Sequence, residues 1–311
     1  MTNQVNNLFI DCDPGLDDAI AILLAGRARN LNLLGVSSVA GNQTVAKTTE
    51  NARRIVGLGG LGCPVAKGSS GPLLRPPVIA DDYHGESGLG GAELPPDRAP
   101  LAAENAVPWL AEQILAQTTP VTIVPIGPLT NIALLLNAFP EVKGKIERIV
   151  MMGGAVGAGN VTPSAEFNIY ADPEAAKMVF KSGVPISMVG LDVTNQVLAT
   201  RQIVEKIRSL NNSVSDYVSG WLTFYIDAYY RTRGIEGGAL HDPLAVVALI
   251  DKDVLRFEDM LVDVETRSDL TYGRTVCEPS RWSDKKANAQ VAIEVNPDLF
   301  WDILFDALSR Y

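Results

Sequence analysis

Residues 8–25 read LFIDCDPGLDDAIAILLA. The opening apolar run, closing on Asp11 and Cys12, predicts a buried strand. The apolar residues from Asp17 to about Arg27 recur at helical spacing and predict a helix. Pro14 and Gly15 supply the turn between them. A buried strand running into a helix is the first half of a βαβ unit, and the pattern repeats along the chain. NLLGVSSVA (32–40) precedes a helical Thr44–Val56, VTIVPI (121–126) precedes LTNIALLLNA (129–138), and RIVMMGG (148–154) precedes PEAAKMVF (173–180). PISMVGLD (185–192) adds another strand, the segment from about 200 to 250 is largely helical, and MLVDVE and AQVAIEV add two strands before a last helix opening at Pro297. The reading is α/β: a mostly parallel central sheet flanked by helices, Rossmann-like, with its site at the carboxyl ends of the strands.

No Ser/Gly linker, charge block or internal repeat divides the 311 residues, so residues 1–311 are read as one domain. The irregular stretches 67–103, 153–170 and the glycine-containing RTRGIEGGAL (231–240) are candidate functional loops. A net charge of −10 argues against nucleic acid or an anionic membrane as a partner, since neither accepts an acidic face without a basic patch. No apolar run approaches the roughly 20 residues needed to span a bilayer, and the N-terminus has no signal-peptide pattern. Cys12, Cys63 and Cys277 are too scattered for a disulfide framework or a zinc site. A reduced, cytoplasmic protein is expected.

Four carboxylates, Asp11, Asp13, Asp17 and Asp18, crowd the end of the first strand and the first turn of its helix. Helix capping accounts for Asp17 and for Asp18, but not for Asp11 and Asp13 on the strand. Such a cluster repels itself in a buried site unless a cation neutralises it, and oxygen ligands select a hard ion, Mg²⁺ or Ca²⁺. An Asp-x-Asp strand end also opens metal-dependent phosphatases of the haloacid-dehalogenase type. Here a proline follows Asp13, and no strand-end Ser/Thr, Lys and second acidic pair follow.

Six motifs in order decide between these. DCDPGLDDAIAILLA, VAGNQT (39–44), HGESGLGG (84–91), PIGPLTNIA (125–133), AEFNIYADPEAA (165–176) and HDPLAV (241–246) together resemble the inosine–uridine nucleoside hydrolase family, over most of the chain. The resemblance implies hydrolysis of the N-glycosidic bond of purine and pyrimidine ribonucleosides, in salvage or catabolism, through an oxocarbenium-like transition state. It implies a Ca²⁺ held by Asp13, Asp18, Asp242 and the backbone carbonyl of Ile126, with Asp13 as general base to the attacking water and Asp11 orienting its neighbours. Asp17 and Asn42 correspond to the residues holding the ribose 2′-hydroxyl, Asn168 to the 2′/3′ side, and Asn160 and Glu166 to those around the 5′- and 3′-hydroxyls. A turn role for Asn160 and capping roles for Glu166 and Asn168 are the structural alternatives.

The chain has only two histidines, and imidazole can supply a proton near neutral pH. By the resemblance, His241, beside the ligand Asp242, is the leaving-group acid. His84, opening a glycine-rich loop, positions the base or the loop. Tyr225 and Tyr229 are four apart on one helical face; the resemblance implies that both lie near the leaving base, with core packing as the alternative for at least one. None of the four tryptophans lies in the His84 loop, so the tyrosine pair with His241 looks like the broad inosine–uridine type. A small-molecule ribonucleoside is the expected partner, and a homo-oligomer, dimer or tetramer, is expected from the family. A non-catalytic nucleoside- or sugar-binding protein is the remaining rival, but it has no need of a metal cluster beside a histidine.

Overall fold

The computed structural model describes residues 5–80, 85–90, 92–282 and 284–311. Strand β1 (Asn6–Cys12) lies near the middle of the main sheet and is covered on both faces. Leu8, Ile10 and Cys12 enter one core, while Phe9, alternating with them, enters the other and meets Trp109 edge-on, with ring centroids 6.0 Å apart. The helix that follows, Leu16–Arg27, is buried from Leu16 through Ala25. It is apolar all round because it is enclosed by the helices Asp242–Ile250, Pro297–Leu308 and Val45–Leu58 as well as by the sheet.

The chain then lays down β2 (Leu31–Ser38), β3 (Val65–Lys67) and β4 (Leu101–Ala103) towards one edge. It returns to the other side of β1 with β5 (Val121–Pro125) and continues through β6 (Ile146–Met152) and β7 (Ile186–Val189). β8 (Leu198–Ala199) and β9 (Gly238–Ala239) form a separate small pair, and β10 (Leu255–Val264), β11 (Thr275–Pro279) and β12 (Ala289–Val295) complete the far edge. Among the described residues the main sheet has ten strands in the order β11-β10-β12-β7-β6-β5-β1-β2-β3-β4. From β12 to β4 all neighbours are parallel, and only β10 runs against its two partners. The sheet is thus mostly parallel, as the alternating pattern predicts.

The order of addition reverses between β1 and β5, so the loops leaving these two strands diverge and open a crevice at their carboxyl ends. Asp13 follows β1 directly and Ile126 follows β5, which places both at the reversal. Three helices, Arg201–Arg208, Ser213–Arg233 and Asp242–Ile250, occupy the segment read as helical, and the last two bring Tyr225, Tyr229, His241 and Asp242 over the same crevice. Among the described residues, no helix is long and apolar enough to cross a membrane.

Candidate active site

At the floor of the crevice the acidic cluster is buried: Asp13, Asp17, Asp18 and Asp242 are each at most 4% exposed. Asp18 does the helix capping that the sequence shared between Asp17 and Asp18. Its Oδ2 accepts from Gly15 N–H at 2.9 Å and its Oδ1 from Asp13 N–H at 3.1 Å, closing the turn between β1 and the helix. Asn42, delivered by the loop after β2, donates its backbone N–H to Asp13 Oδ2 at 2.6 Å and its Nδ2 to Asp18 Oδ2 at 3.2 Å. Asp11 lies deeper. Ser37 and Asn131 both donate to its Oδ1, the latter at 2.8 Å, so it ties β1, β2 and the helix Thr130–Ala138 together beneath the cluster.

The electrostatics of this floor call for a cation. Burial first, and then the neighbouring carboxylates, hold Asp13 and Asp242 well above the usual carboxylate range and push Asp18 up to about 7. Asp18 and Asp242 each bring a carboxylate oxygen within 4.8 Å of the other's, a buried approach that two ionised carboxylates tolerate only with a shared proton or an ion between them. Asp17, Asp18 and Asp242 each offer an oxygen within 4.8 Å of the others. Asp13 stands next to this trio, and its Oδ1 is buried with no hydrogen-bond partner. The backbone closes around it at two glycines: a Cβ on Gly41 would sit 2.1 Å from Asp13 Oδ2, and one on Gly127 2.5 Å from Oδ1. An orphaned buried carboxylate oxygen beside an oxygen-only donor set fits a hard divalent cation.

Asp17, Asn42, Ile126, Asn160, Glu166, Asn168, Tyr225, Tyr229, His241 and Asp242 line one cavity. All of the substrate-facing residues expected from the sequence are therefore brought together, except His84, which lies outside the described residues. Asp13 and Asp18 do not line the cavity; they sit one hydrogen bond behind Asn42. Val78, Ile79, Val161 and Phe167 add an apolar part to the wall.

The capping alternatives for Glu166 and Asn168 hold alongside their place in the cavity. Glu166 is the N-cap of the helix Phe167–Ala171 and accepts from Asn168, Ile169 and Gly154 N–H groups. Burial nonetheless pushes its carboxyl up to about 7. Asn168 donates Nδ2 to the carbonyls of Ile126 at 2.9 Å and Met152 at 3.2 Å, which orients its amide and leaves Oδ1 as the acceptor for a ligand hydroxyl. Asn160 accepts from Phe167 N–H at 2.9 Å, and its own carbonyl accepts from Arg233.

His241 lines the same cavity, with both ring nitrogens engaged. Its Nε2 lies 3.0 Å from the Tyr229 hydroxyl and its Nδ1 2.7 Å from Thr194 Oγ1. Tyr225 and Tyr229 stack edge-to-face with centroids 4.9 Å apart, and the Arg233 guanidinium lies 5.3 Å from the Tyr229 ring centre. Both tyrosines are buried and both line the cavity, so core packing and ligand contact coincide. No tryptophan joins them: Trp109 and Trp301 pack in the cores, Trp221 is fully buried, and Trp282 is on the surface.

Sequence reading missed Thr194, Asn131, Arg233 and the two glycines against Asp13. One signal was available for Thr194: it follows β7 in VGLDVT, at the carboxyl end of a parallel strand, where ligand-facing residues collect.

A family model described as inosine–uridine preferring nucleoside hydrolase matches residues 8–302. The chain is 47% identical over 311 residues to the pyrimidine-specific ribonucleoside hydrolase RihA of Shewanella baltica, covering 99% of this chain and 98% of that protein. It is 39% identical over 308 residues to the pyrimidine-specific ribonucleoside hydrolase RihB of Escherichia coli, covering 99% and 98%. Among solved structures, the purine-preferring ribonucleoside hydrolase from Gardnerella vaginalis superposes with a TM-score of 0.90 at 34% identity, over 98% of each chain.

Proposed function

The chain belongs to the inosine–uridine preferring nucleoside hydrolase family and is a ribonucleoside N-glycosidase, and from that premise we propose which substrate it takes and which residues do the work. The substrates are pyrimidine ribonucleosides, as the names of its relatives say of those proteins, together with inosine. Inosine is included because Tyr225 and Tyr229 stand with His241 in the wall of the cavity.

Asp13, Asp18, Asp242 and the Ile126 carbonyl hold a Ca²⁺, which when bound supplies the positive charge that offsets the four carboxylates and acidifies water. Asp13 accepts a proton from the attacking water at Oδ1, the oxygen that no protein donor occupies. Oxygen attacks C1′ as the N-glycosidic bond breaks and its electron pair passes to the departing base. His241 delivers a proton to that base from the other side, on a path that includes the Tyr229 hydroxyl. Asp17 and Asn42 hold the 2′-hydroxyl side, Asn168 accepts from the 2′/3′ side through Oδ1, and Asn160 and Glu166 face the 5′- and 3′-hydroxyls. The glycine-rich loop opened by His84 positions the base. Three free thiols suit a reducing cytoplasm, where the protein acts as a homo-oligomer.

One observation carries the reading: cation-demanding carboxylates and a buried histidine–tyrosine pair meet at one cavity. Incubation with uridine, cytidine, inosine and a phosphate ester, with and without Ca²⁺, tests it. Free ribose from the nucleosides, abolished by chelation, is expected. Phosphate from the ester alone would restore the phosphatase reading, and binding without turnover would restore the non-catalytic one.

A further inference from the structure

We propose that Asp192, Arg274 and Thr275 are positioning residues for Asn160: from outside the cavity they fix the loop that presents its amide to the ligand. This rests on the reading of Asn160 as the contact to the 5′-hydroxyl. The loop after β6 starts at Gly153 and Gly154, the latter with a φ of +75°, and passes Gly157 and Gly159 before it reaches Asn160. So glycine-rich a segment has little conformational preference of its own, and residues 155–157 belong to no strand or helix. Their backbone groups need partners from elsewhere in the fold.

Side chains supply those partners for all three residues, donors and acceptors alike. Thr275 Oγ1 accepts from Ala155 N–H at 2.9 Å and donates to the Ala155 carbonyl at 2.6 Å. Asp192 spreads its carboxylate over the next two N–H groups, Oδ2 to Val156 at 2.7 Å and Oδ1 to Gly157 at 2.9 Å. Arg274 forks its guanidinium onto the carbonyls of the same two residues, Nη2 to Val156 at 3.3 Å and Nη1 to Gly157 at 3.2 Å. Among the described residues, a 3.9 Å thiol contact from Cys277 to the Ala155 carbonyl is the only other hydrogen bond to the backbone of residues 155–158. Paired carboxylate and guanidinium contacts fix direction as well as distance.

None of the three clamping residues lines the cavity: Asp192 follows β7, and Arg274 and Thr275 stand at the start of the edge strand β11. Three residues beyond the clamp, Asn160 does line it. Its Oδ1 accepts from Phe167 N–H at 2.9 Å, which leaves Nδ2 to donate to a ligand, and its N–H donates to the Ala165 carbonyl at 3.1 Å. The far end of the loop is thus tied to the segment that follows it, and the near end is tied by the clamp. Releasing the near end lets the amide shift, and a misplacement of about 1 Å is enough to lose its contact.

The test compares uridine with 5′-deoxyuridine in Ca²⁺-loaded enzyme. Wild type should favour uridine in kcat/KM by roughly 10–100-fold, the cost of leaving one donor without its partner. Arg274→Met keeps the aliphatic stem and removes the fork; Asp192→Asn sets an amide N–H against one of the two backbone donors. Each should shrink the preference by about tenfold, through loss of activity on uridine with little change on 5′-deoxyuridine. In an Asn160→Ala background neither substitution should lower uridine activity further, because changes that act through one contact are not additive.

Equal losses on the two substrates would overturn the proposal, since a clamp that serves only the fold slows both alike. So would an unchanged preference in both variants, or a loss on uridine that is as large once Asn160 is replaced. If wild type turns over both substrates alike, while Arg274→Met loses uridine activity only when Asn160 is present, the clamp does position Asn160 and it is the 5′-hydroxyl reading that falls.

Discussion

Asp18 and Asp242 lie far apart in the chain and bring carboxylate oxygens within 4.8 Å of each other at the floor of the cavity. Each sits in the first turn of its own helix, where the aligned peptide dipoles favour negative charge. The two helices pack against each other, so the fold itself forces the pair together.

The first prediction follows from that contact. Asp18 is pushed up to about 7, and Asp13 and Asp242 are held well above the usual carboxylate range, burial being the first cause in each. A carboxyl whose folded pKa is raised stabilises the fold below its unfolded value, about 4, and loses that contribution as pH rises through the folded value. Chelated protein should therefore lose Tm as pH rises from 5 towards 8. Ca²⁺ should restore it most at the high end, by about 2.7 kcal/mol at a hundredfold excess over Kd. Differential scanning calorimetry checks this, and a pH-independent melting temperature in the metal-free protein would count against a cation-demanding floor.

A second prediction separates two ligand sets. The proposed set includes Asp13, whereas the oxygens lying nearest together belong to Asp17, Asp18 and Asp242. Asp13→Asn should lose bound Ca²⁺ by elemental analysis. Asp17→Asn should keep it and instead raise KM for uridine, because a 2′-hydroxyl contact is gone. Wild-type enzyme should in turn reject 2′-deoxyuridine by a factor on the order of 10⁴, as sites built to bond a hydroxyl do. Metal lost from Asp17→Asn but retained in Asp13→Asn would exchange the two roles.

Much of this was legible in the sequence, and the reasons differ by element. Apolar runs such as Leu8–Cys12 and Val121–Pro125 are long enough to show their period, and both proved to be central strands. β3 and β4, three residues each, are too short to carry one. The helix Ala106–Leu115 carries Pro108 in its first turn, where the missing N–H costs little, though in a sequence proline reads as a breaker. β11 ends on Pro279 and is an edge strand, the place where a sheet tolerates proline. Within the site, residues held in local motifs were readable. Thr194, outside every quoted motif, was not, and Asn131, though inside PIGPLTNIA, gave no sign that its amide reaches Asp11 across the chain.

The glycines against Asp13 give a third prediction. Gly41→Ala would set a methyl 2.1 Å from Asp13 Oδ2, the oxygen that accepts from Asn42 N–H. The methyl and the carboxylate cannot both keep these positions, so the variant should fold with Asp13 displaced, lose Ca²⁺ affinity, and lose ribose release with it. Gly144→Ala, with nothing within 4 Å of the new methyl, is the control and should behave as wild type in both measurements. Full calcium content and activity in Gly41→Ala would mean that the loop after β2 moves freely and that Asn42 does not fix the carboxylate.

The fourth prediction concerns the leaving group. A purine or pyrimidine anion departs poorly, so the proton supplied through His241 should be worth roughly 10²–10⁴-fold in rate. His241→Ala should lower kcat on uridine and inosine by that order with KM much less affected, since the metal floor and the ribose contacts remain. A nitrophenyl riboside leaves as a stabilised phenolate, and the same variant should keep most of its activity on it. Tyr229→Phe sharpens the comparison: it keeps the ring against Tyr225 and removes only the hydroxyl 3.0 Å from Nε2. If the proton passes through that hydroxyl, Tyr229→Phe should repeat the His241→Ala pattern on nucleosides. If His241 reaches the base directly, Tyr229→Phe should cost far less. Equal losses on nucleosides and nitrophenyl riboside in His241→Ala would mean that the histidine serves its neighbour Asp242 and the metal floor, because only a damaged floor slows both reactions alike.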